Sequence, residues 1–206
     1  SVIGNDDKGT IFKSLLEKRG LTADAILVSE DRKTTSKTRV ISEGQHLLRV
    51  DEEITHSLDE KPEQSFIAHI KAILKLKKID AIIFEDYDKG CLTPAIIDEV
   101  VKVATEKGII TTVDPKKENF LHYHNISLFK PNFKELNEGL KLEILKGDFE
   151  EVHKAANVLR DQYKHKDVLI TLSEHGVLIT DGEDYYHMPA EKRDIVDVSG
   201  AGDTVI

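Results

Sequence analysis

The stretch AIIFEDYDKGCLTPAIIDEVVKVATEKGIITTVD, residues 81–114, predicts the fold class of the chain. It opens with the apolar run 81–84, which is typical of a strand covered on both faces. A helix is predicted over 94–107, because Pro94 suits a first helical turn and a glycine follows the last residue. The apolar run 109–113 then predicts a second buried strand. Strand, helix and strand in this order indicate an α/β fold with parallel strands.

The rest of the chain continues this alternation, with one exception near its beginning. The β-prone runs 35–41 and 46–50 are joined by a glycine-containing turn at 42–45, so they predict a hairpin outside the alternation. Further helices are predicted over 7–19, 62–77, 133–140 and 149–163, and further strands over 25–28, 127–129, 168–172, 176–180 and 184–188. No repeat or linker divides the sequence. We therefore predict one main domain over residues 1–206, with a largely parallel sheet and the hairpin as a flap beside it.

Composition and net charge limit the classes of function. The chain has 206 residues, of which 39% are hydrophobic and 33% charged, as in ordinary globular domains. Its formal net charge of −9 repels nucleic-acid backbones, so we expect no nucleic-acid partner. The single cysteine, Cys91, excludes an internal disulfide. We see no signal peptide and no apolar run of membrane-spanning length, so we expect a cytoplasmic protein without membrane contact.

The stretch DVSGAGDT, residues 197–204, predicts a phosphate site. Two glycines flank an alanine, so the backbone can approach a ligand closely, and unpaired N–H groups at a helix start attract an anion. Asp203 in that first turn could accept a hydroxyl proton late in a phosphoryl transfer. The alternative is a glycine-rich turn in which Asp203 is a simple helix-start residue.

The same eight residues resemble the signature of the ribokinase-like carbohydrate kinases, the PfkB family. The resemblance implies a ribokinase-like fold with a small β lid at 35–51, and it implies ATP and Mg²⁺ as cofactors. It also implies that Asp203 is the catalytic base and that the amides of Gly200, Ala201 and Gly202 form the anion hole.

Two further segments match this family. Pro131–Glu135 resembles its Asn-x-x-Glu motif, which implies that Asn132 and Glu135 help to hold magnesium, largely through water. Taken alone, the same two residues would more often be a helix cap and its reciprocal partner. Asn132 is also predicted at the nucleotide.

The second segment, Thr171–Gly176, resembles the nucleotide-side strand and turn of the family, usually Thr-x-Gly-x-x-Gly. It implies nucleotide contacts from Thr171, Ser173 and Gly176. Ser173 stands where the family usually has its first glycine, which puts that backbone contact in question.

Within the family, the chain is most similar to the heptose 7-phosphate kinases of lipopolysaccharide-core synthesis. The similarity lies in the hairpin segments 35–41 and 45–51, the loop 85–90 and the segment 114–116, and it extends from residue 1 to residue 206. It implies phosphorylation of the anomeric hydroxyl of D-glycero-D-manno-heptose 7-phosphate on the route to ADP-heptose. The segment Asp114-Pro115-Lys116, which resembles the Asp-Pro-Lys of that group, implies a metal role for Asp114 and a phosphate-side role for Lys116. A homodimer formed through the lid is a further implication.

The chemistry of the side chains independently favours a sugar phosphate. A phosphorylated substrate needs fixed cations, and two candidate loops of this acidic chain contain several. The alternative is that these cationic side chains lie in solvent on exposed edge strands, where lysine discourages aggregation. A carboxylate after a buried strand is also well placed to accept hydrogen bonds from sugar hydroxyls. The predicted substrate-binding residues are Lys37, Arg39, Gln45, Arg49, Asp86 and Lys89.

Two rival functions remain open at this point. One is a kinase of the same family that acts on an unphosphorylated sugar such as ribose or fructose. The other is a non-catalytic module that binds a nucleotide or a sugar.

Both ends of the sequence look cut, since residues 1–4 resemble a strand already under way and residues 203–206 amount to one helical turn. We therefore expect a longer native chain and weak or no activity from residues 1–206 alone.

Overall fold

A computed structural model describes residues 1–42, 45–191 and 204–206, and it divides the chain into two compact units. The hairpin unit comprises Ser1–Lys77 and Lys89–Thr93. The sheet unit comprises Lys78–Asp88 and Pro94–Ile206. Among the described helices, none has the length and apolar character needed to cross a membrane.

The hairpin unit contains two small sheets and two helices. Its elements are β1 (Val2–Gly4), α1 (Asp7–Lys18), β2 (Leu27–Ser29), β3 (Ser36–Ser42), β4 (Gln45–Glu52) and α2 (Glu60–Leu76). Strands β1 and β2 pair in parallel, and β3 and β4 form a separate antiparallel hairpin. The predicted hairpin is thus confirmed. Strand β2 begins two residues later and ends one residue later than the predicted 25–28. Helix α2 begins at Glu60, so that Pro62 lies in its first turn, where proline is tolerated.

The sheet unit is built on one six-stranded sheet in the order β10-β9-β8-β7-β6-β5. The pairs β5–β6, β6–β7 and β7–β8 are parallel, and β9 and β10 add antiparallel pairs at one side. Its elements are β5 (Ala81–Glu85), α3 (Pro94–Lys107), β6 (Ile110–Asp114), β7 (Leu128–Phe129), α4 (Phe133–Leu140), α5 (Phe149–Tyr163), β8 (Asp167–Thr171), β9 (Val177–Thr180) and β10 (Tyr185–Met188). The predicted α/β fold with a mostly parallel sheet is confirmed.

The core of the sheet unit lies between the sheet and its helices. Ile96 and Ile97 of α3 are fully buried, as are Val113, Phe129 and Ile170 on three neighbouring strands. Burying an aliphatic or aromatic side chain of this size contributes about 1.5–3 kcal/mol. This burial holds α3 on the sheet and orders the strand ends that follow.

His165 is a buried polar residue in this core. Its ring stacks on Phe129, with 4.5 Å between ring centroids and an interplanar angle of 10°, and only 4% of the residue is exposed. Neither ring nitrogen has a hydrogen-bond partner within the described part of the chain. Burial, and secondarily the charge of His124, lowers the pKa of His165 from 6.5 to about 3. The ring is therefore neutral in the folded protein.

This burial predicts a loss of stability in mild acid. Between pH 6.5 and pH 3 the unfolded chain binds a proton at His165 that the folded chain excludes, so the free energy of unfolding decreases as the pH falls. The expected loss is about 2 kcal/mol between pH 6.5 and pH 5, at ~1.4 kcal/mol per pH unit. Urea unfolding of the wild type and of His165→Phe at pH 7.5 and pH 5.0 measures it.

His165→Phe keeps the stacked ring and removes the titration, so its stability should change less between the two pH values. His122→Phe, at an exposed position, is the control and should retain the wild-type pH dependence. An identical pH dependence in wild type and His165→Phe would contradict the assignment.

Candidate active site

The carboxyl ends of the parallel strands bring the sequence motifs of the sheet unit together. Asp114 is the last residue of β6 and lies opposite Glu85 of β5, and the backbone N–H of Asp86 donates to the carbonyl of Asp114 at 3.2 Å. Asn132, which follows β7, forms a parallel bridge with Thr171, the last residue of β8. Open α/β sheets bind their ligands at this edge.

A cluster of four charged side chains lies at this edge, and we call it the strand-end ion cluster. The Lys130 ammonium is 2.9 Å from Asp114 Oδ2, while the Lys116 ammonium is 3.2 Å from Asp114 Oδ1 and 2.7 Å from Glu135 Oε1. The Lys130 side chain is only 3% exposed and that of Asp114 10%. Two positive and two negative charges therefore compensate one another in a poorly solvated place.

Lys116 carries its full charge in this cluster. Burial would lower the pKa of its ammonium, but the hydrogen bond with Glu135 and the charges of Glu135 and Asp114 outweigh burial and raise the pKa. With a side chain that is 31% exposed, Lys116 is the cation of the cluster most accessible to a ligand. Such a cation is suited to an anionic phosphate.

Asn132 and Glu135 form a complete capping box at the start of α4. Asn132 Oδ1 accepts from the Glu135 N–H at 2.9 Å, and Glu135 Oε2 accepts from the Asn132 N–H at 2.8 Å. The capping interpretation is therefore confirmed. The capping box is compatible with magnesium held through water. A carboxylate oxygen accepts more than one hydrogen bond, and Mg²⁺ keeps several of its waters.

Asp86 is buried, with an exposed fraction of 3%, and holds the loop that follows β5. Its Oδ2 accepts from Asn119 Nδ2 at 2.9 Å and from the Tyr123 hydroxyl at 3.0 Å, and its Oδ1 accepts from the N–H of Asp88 at 3.0 Å. Burial and the nearby carboxylate of Asp86 both raise the pKa of the Tyr123 hydroxyl, which therefore stays a donor. A contact between Asp86 and a sugar stays a prediction.

Asp88, in the loop 85–90, is a candidate functional residue that the sequence analysis did not single out. Burial, followed by the charge of Asp86, raises the pKa of its carboxyl. Its Oδ1 is buried without a hydrogen-bond partner in the described residues. Perturbed carboxyls of this kind are concentrated at functional sites.

The turn after β8 explains the glycine that the family usually has at position 173. Ser173 has a φ of 53°, in the left-handed region that favours glycine, and Gly176 has a φ of 85°. A Cβ at Gly176 would lie 2.0 Å from the carbonyl oxygen of Met188. The turn is closed by the Leu172 N–H, which donates to the carbonyl of Gly176 at 2.8 Å. The serine thus adopts the glycine-like conformation, and its contact with a nucleotide stays a prediction.

A second group of charges lies in the hairpin unit, and we call it the hairpin ion cluster. Arg49 Nη2 is 2.9 Å from Asp51 Oδ2, and the Lys89 ammonium is 2.7 Å from Glu53 Oε1. The Lys37 ammonium lies between the two carboxylates, 3.9 Å from Asp51 and 3.8 Å from Glu53. Three of the predicted substrate-binding cations therefore lie together, although they are far apart in sequence.

The register of the hairpin separates a charged face from an apolar face. Lys37 pairs with Asp51 and Arg39 pairs with Arg49, so these four side chains share one face, as the alternation predicts. The opposite face carries Val40, Leu48 and Val50, each about half exposed. Gln45 is exposed at the start of β4, paired with Ser42.

The remaining predicted residues cannot be placed. Gly200, Ala201, Gly202 and Asp203 lie outside the described residues, so the anion hole and the catalytic base stay predictions.

The structure also adds partners of the predicted site residues that the sequence analysis missed. Two signals in the sequence could have identified some of them. Lys130 directly precedes the Pro-Asn of the magnesium motif, and Arg49, Asp51 and Glu53 occupy alternate positions at the end of β4 and just after it. Those partners are Asp51, Glu53, Asn119, Tyr123 and Lys130.

Comparison with known proteins identifies the family of the chain. A family model described as "pfkB family carbohydrate kinase" matches residues 1–206. The chain belongs to the PfkB family. Curated relatives of this PfkB chain include the "Bifunctional protein HldE" of Helicobacter pylori, 33% identical over 205 residues, and that of Wolinella succinogenes, 35% identical over 205 residues. The matches cover 100% of this chain but only 43% and 42% of those relatives.

Solved structures of two other proteins have a similar fold. The tetrameric inhibited form of phosphofructokinase-2 from Escherichia coli superposes with a TM-score of 0.76 at 21% identity, covering 98% of this PfkB chain and 65% of that chain. A putative ribokinase from Agrobacterium tumefaciens has a TM-score of 0.70 at 17% identity, with 98% and 62% coverage. These structures show that the fold is ribokinase-like.

The strand-end ion cluster of this PfkB chain predicts a large stability cost for Lys130→Met. Removing one partner of a buried ion pair leaves the other charge uncompensated, which costs about 3–5 kcal/mol. Because Lys116 still contacts Asp114, we expect the lower part of that range. The free energy of unfolding from urea titration measures it.

Lys134→Met is the matched control, because the Lys134 side chain is 80% exposed and pairs with Glu138 one helical turn away. It should cost no more than about 0.5 kcal/mol. Equal effects of the two substitutions would contradict the importance of the buried pair.

Proposed function

We propose that the complete protein is an ATP-dependent kinase that phosphorylates the anomeric hydroxyl of D-glycero-D-manno-heptose 7-phosphate, as a step towards ADP-heptose and the lipopolysaccharide core. The observation that carries the proposal is the hairpin ion cluster, which brings Lys37, Arg49 and Lys89 together in a protein of net charge −9. It rests also on the curated relatives named "Bifunctional protein HldE". Since the chain spans about two fifths of the length of those relatives, the activity of the whole protein is part of the proposal.

The chemical step is a phosphoryl transfer with the proton passing to a carboxylate. The anomeric oxygen forms a bond to the γ-phosphorus of ATP, the bond from that phosphorus to the bridging oxygen breaks, and ADP leaves. The hydroxyl proton goes to Asp203, and the amides of Gly200, Ala201 and Gly202 neutralise the charge on the transferred group. These four roles rest on the family resemblance.

The strand-end ion cluster would serve the phosphates of ATP. Lys116 is the accessible cation of the cluster, and Lys130 holds Asp114 from the buried side. Thr171 lies beside Asn132 at the adjacent strand end, and the turn with Ser173 and Gly176 would approach the nucleotide with its backbone.

Magnesium supplies charge compensation on the phosphates when it is bound. Glu135, Asn132 and Asp114 would hold it through water, because each of their carboxylate or amide oxygens already accepts one protein hydrogen bond or ion pair. This donor set of oxygens suits Mg²⁺.

The hairpin ion cluster would receive the phosphate of the sugar. Arg39 lies directly across from Arg49 on the charged face, and like charges opposite one another on paired strands are destabilising unless an anion compensates them. A phosphate dianion at this face would do so and would be bound by charge-assisted hydrogen bonds. The hairpin would act as a lid that excludes water from the reaction.

One observation favours a second candidate, a PfkB kinase of an unphosphorylated sugar. Asp51 and Glu53 already neutralise part of the positive charge of the cluster. In that case the cations would be structural and the substrate would need no phosphate.

A non-catalytic binding module would release no ADP from ATP with any sugar. A coupled ADP-release assay on a panel of sugars distinguishes it from a kinase.

We also propose that the apolar face of the hairpin pairs with a second copy of the protein. Val40, Leu48 and Val50 present adjoining half-exposed side chains on one face of a two-stranded sheet. Such a sheet is marginal in isolation and gains stability from a partner surface. The expected place of action is the cytoplasm.

Asp203→Asn in the complete protein tests the catalytic base. The amide keeps the shape of the side chain but cannot accept the proton, so turnover should fall by about 10²–10⁴-fold with little change in the Michaelis constants. Steady-state kinetics by ADP release measures both. Asp181→Asn, at an exposed position between β9 and β10, is the control and should leave turnover intact. Normal turnover of Asp203→Asn would refute the assignment.

Lys89→Met and Arg49→Gln test the sugar phosphate. Each substitution removes a charged donor, so the Michaelis constant for the sugar phosphate should rise by about 10–100-fold, at ~1.5–3 kcal/mol per charged hydrogen bond. The Michaelis constant for ATP should stay constant. Lys33→Met is the matched control, since the Lys33 side chain is 67% exposed and pairs with Glu52 outside the cluster. Unchanged Michaelis constants in both variants would favour the unphosphorylated substrate.

A further inference from the structure

Arg32 binds three backbone carbonyls that belong to two distant segments of the hairpin unit. Its Nη1 donates to the carbonyl of His56 at 3.0 Å, and its Nη2 donates to the carbonyls of Ile54 at 3.1 Å and Lys89 at 2.6 Å. Arg32 is half-buried, so these bonds are formed with limited competition from water. The guanidinium therefore joins the segment after β4 to the loop that begins at Lys89.

Two further contacts join the same segments. The N–H of Leu58 donates to the carbonyl of Gly90 at 2.9 Å. Gly90 has a φ of 65°, and a Cβ at this position would lie 2.0 Å from the carbonyl oxygen of His56. The backbones at residues 56 and 90 thus touch, and only glycine allows both the conformation and the approach.

The two joined segments carry the two ends of an ion pair in the hairpin ion cluster. Glu53 directly precedes the carbonyl that Arg32 binds at Ile54, and the carbonyl of Lys89 is itself an acceptor. The Lys89 ammonium meets Glu53 Oε1 at 2.7 Å. Arg32 thus sets the distance between the backbones from which these two side chains extend.

Arg32 is itself held in place by the start of the chain. Its carbonyl oxygen packs against Gly4, where an added Cβ would approach it to 2.4 Å. Two residues further, the N–H of Thr34 donates to Asp6 Oδ2 at 2.8 Å, and the Thr34 hydroxyl accepts from the Gly4 N–H at 3.0 Å. The guanidinium therefore extends from a fixed backbone.

We propose that Arg32 is a positioning residue that places Lys89 for the phosphate of the sugar substrate. This inference rests on the proposed function, in which Lys89 binds that phosphate. Arg32 itself donates to backbone carbonyl oxygens and acts through Lys89. Its planar fork is needed, since a lysine ammonium is a single point charge that cannot hold acceptors of two segments in the same geometry.

The test is the kinetics of Arg32→Lys in the complete protein, with the sugar 7-phosphate as substrate. The Michaelis constant for the sugar phosphate should rise about tenfold, because a small misplacement of a binding group weakens binding. The Michaelis constant for ATP and the turnover number should stay within about twofold of the wild-type values. The double variant Arg32→Lys with Lys89→Met should be no worse than Lys89→Met alone, because a positioning residue has no effect once its target is absent. Additive losses, or a fall in turnover alone, would overturn the proposal.

Hydrogen exchange separates this proposal from the proposed function. The Leu58 amide, which bridges the two segments, should exchange at least about tenfold faster in Arg32→Lys than in wild type, because local opening becomes easier. Arg19→Lys, at an exposed helix end, is the matched control and should change neither exchange nor kinetics. Unchanged exchange at Leu58 overturns the role of Arg32, whatever the activity. If exchange is faster but the wild type phosphorylates no sugar phosphate, Arg32 does join the two segments and the proposed function is rejected.

Discussion

The parallel pairing of β5, β6, β7 and β8 is the constraint on which the rest of the sheet unit depends. Because these strands run in the same direction, their carboxyl ends meet at one edge, and residues up to 39 positions apart in sequence, such as Asn132 and Thr171, become neighbours there. Asp114 and Glu135 lie in one ion cluster for this reason, and Asp86 follows the neighbouring strand. The apolar cores of the strands keep this register, since a shift by one residue would turn the buried side chains towards water.

Charge compensation is the second principle of both units. This chain of net charge −9 has an ion cluster in each unit, and each cluster mixes carboxylates with ammonium or guanidinium groups. A buried charge without a partner is expensive, whereas a compensated cluster can keep a charged donor available to a ligand. Lys116 and Arg49 are the most exposed cations within their clusters, with side chains 31% and 60% exposed. A phosphate that contacts them would meet cations already held in place.

The backbone sets the positions of these side chains at a few tight points. Ser173 takes a left-handed conformation that the family usually gives to glycine, and Gly90 lets two backbones touch where Arg32 also joins them. Strained or crowded positions of this kind persist where the surrounding structure fixes them, as in binding loops. The capping box at Asn132 and Glu135 orders the start of α4, and its carboxylate and amide oxygens can each accept a further hydrogen bond.

Local patterns of the sequence were enough to determine the helices, the strands, the hairpin and the α/β class of this protein, because periodicity, caps and turns depend on residues near one another in the chain. The motifs likewise indicated the PfkB family and most of the candidate residues, including Asp114, Lys116 and Lys89. Only the tertiary structure decided which charges compensate one another. Lys130 meets Asp114 across two neighbouring strands, and Arg32 reaches a carbonyl 57 residues away. Such contacts depend on strand order and loop geometry, which arise from packing between distant segments and leave no periodic signal in the sequence.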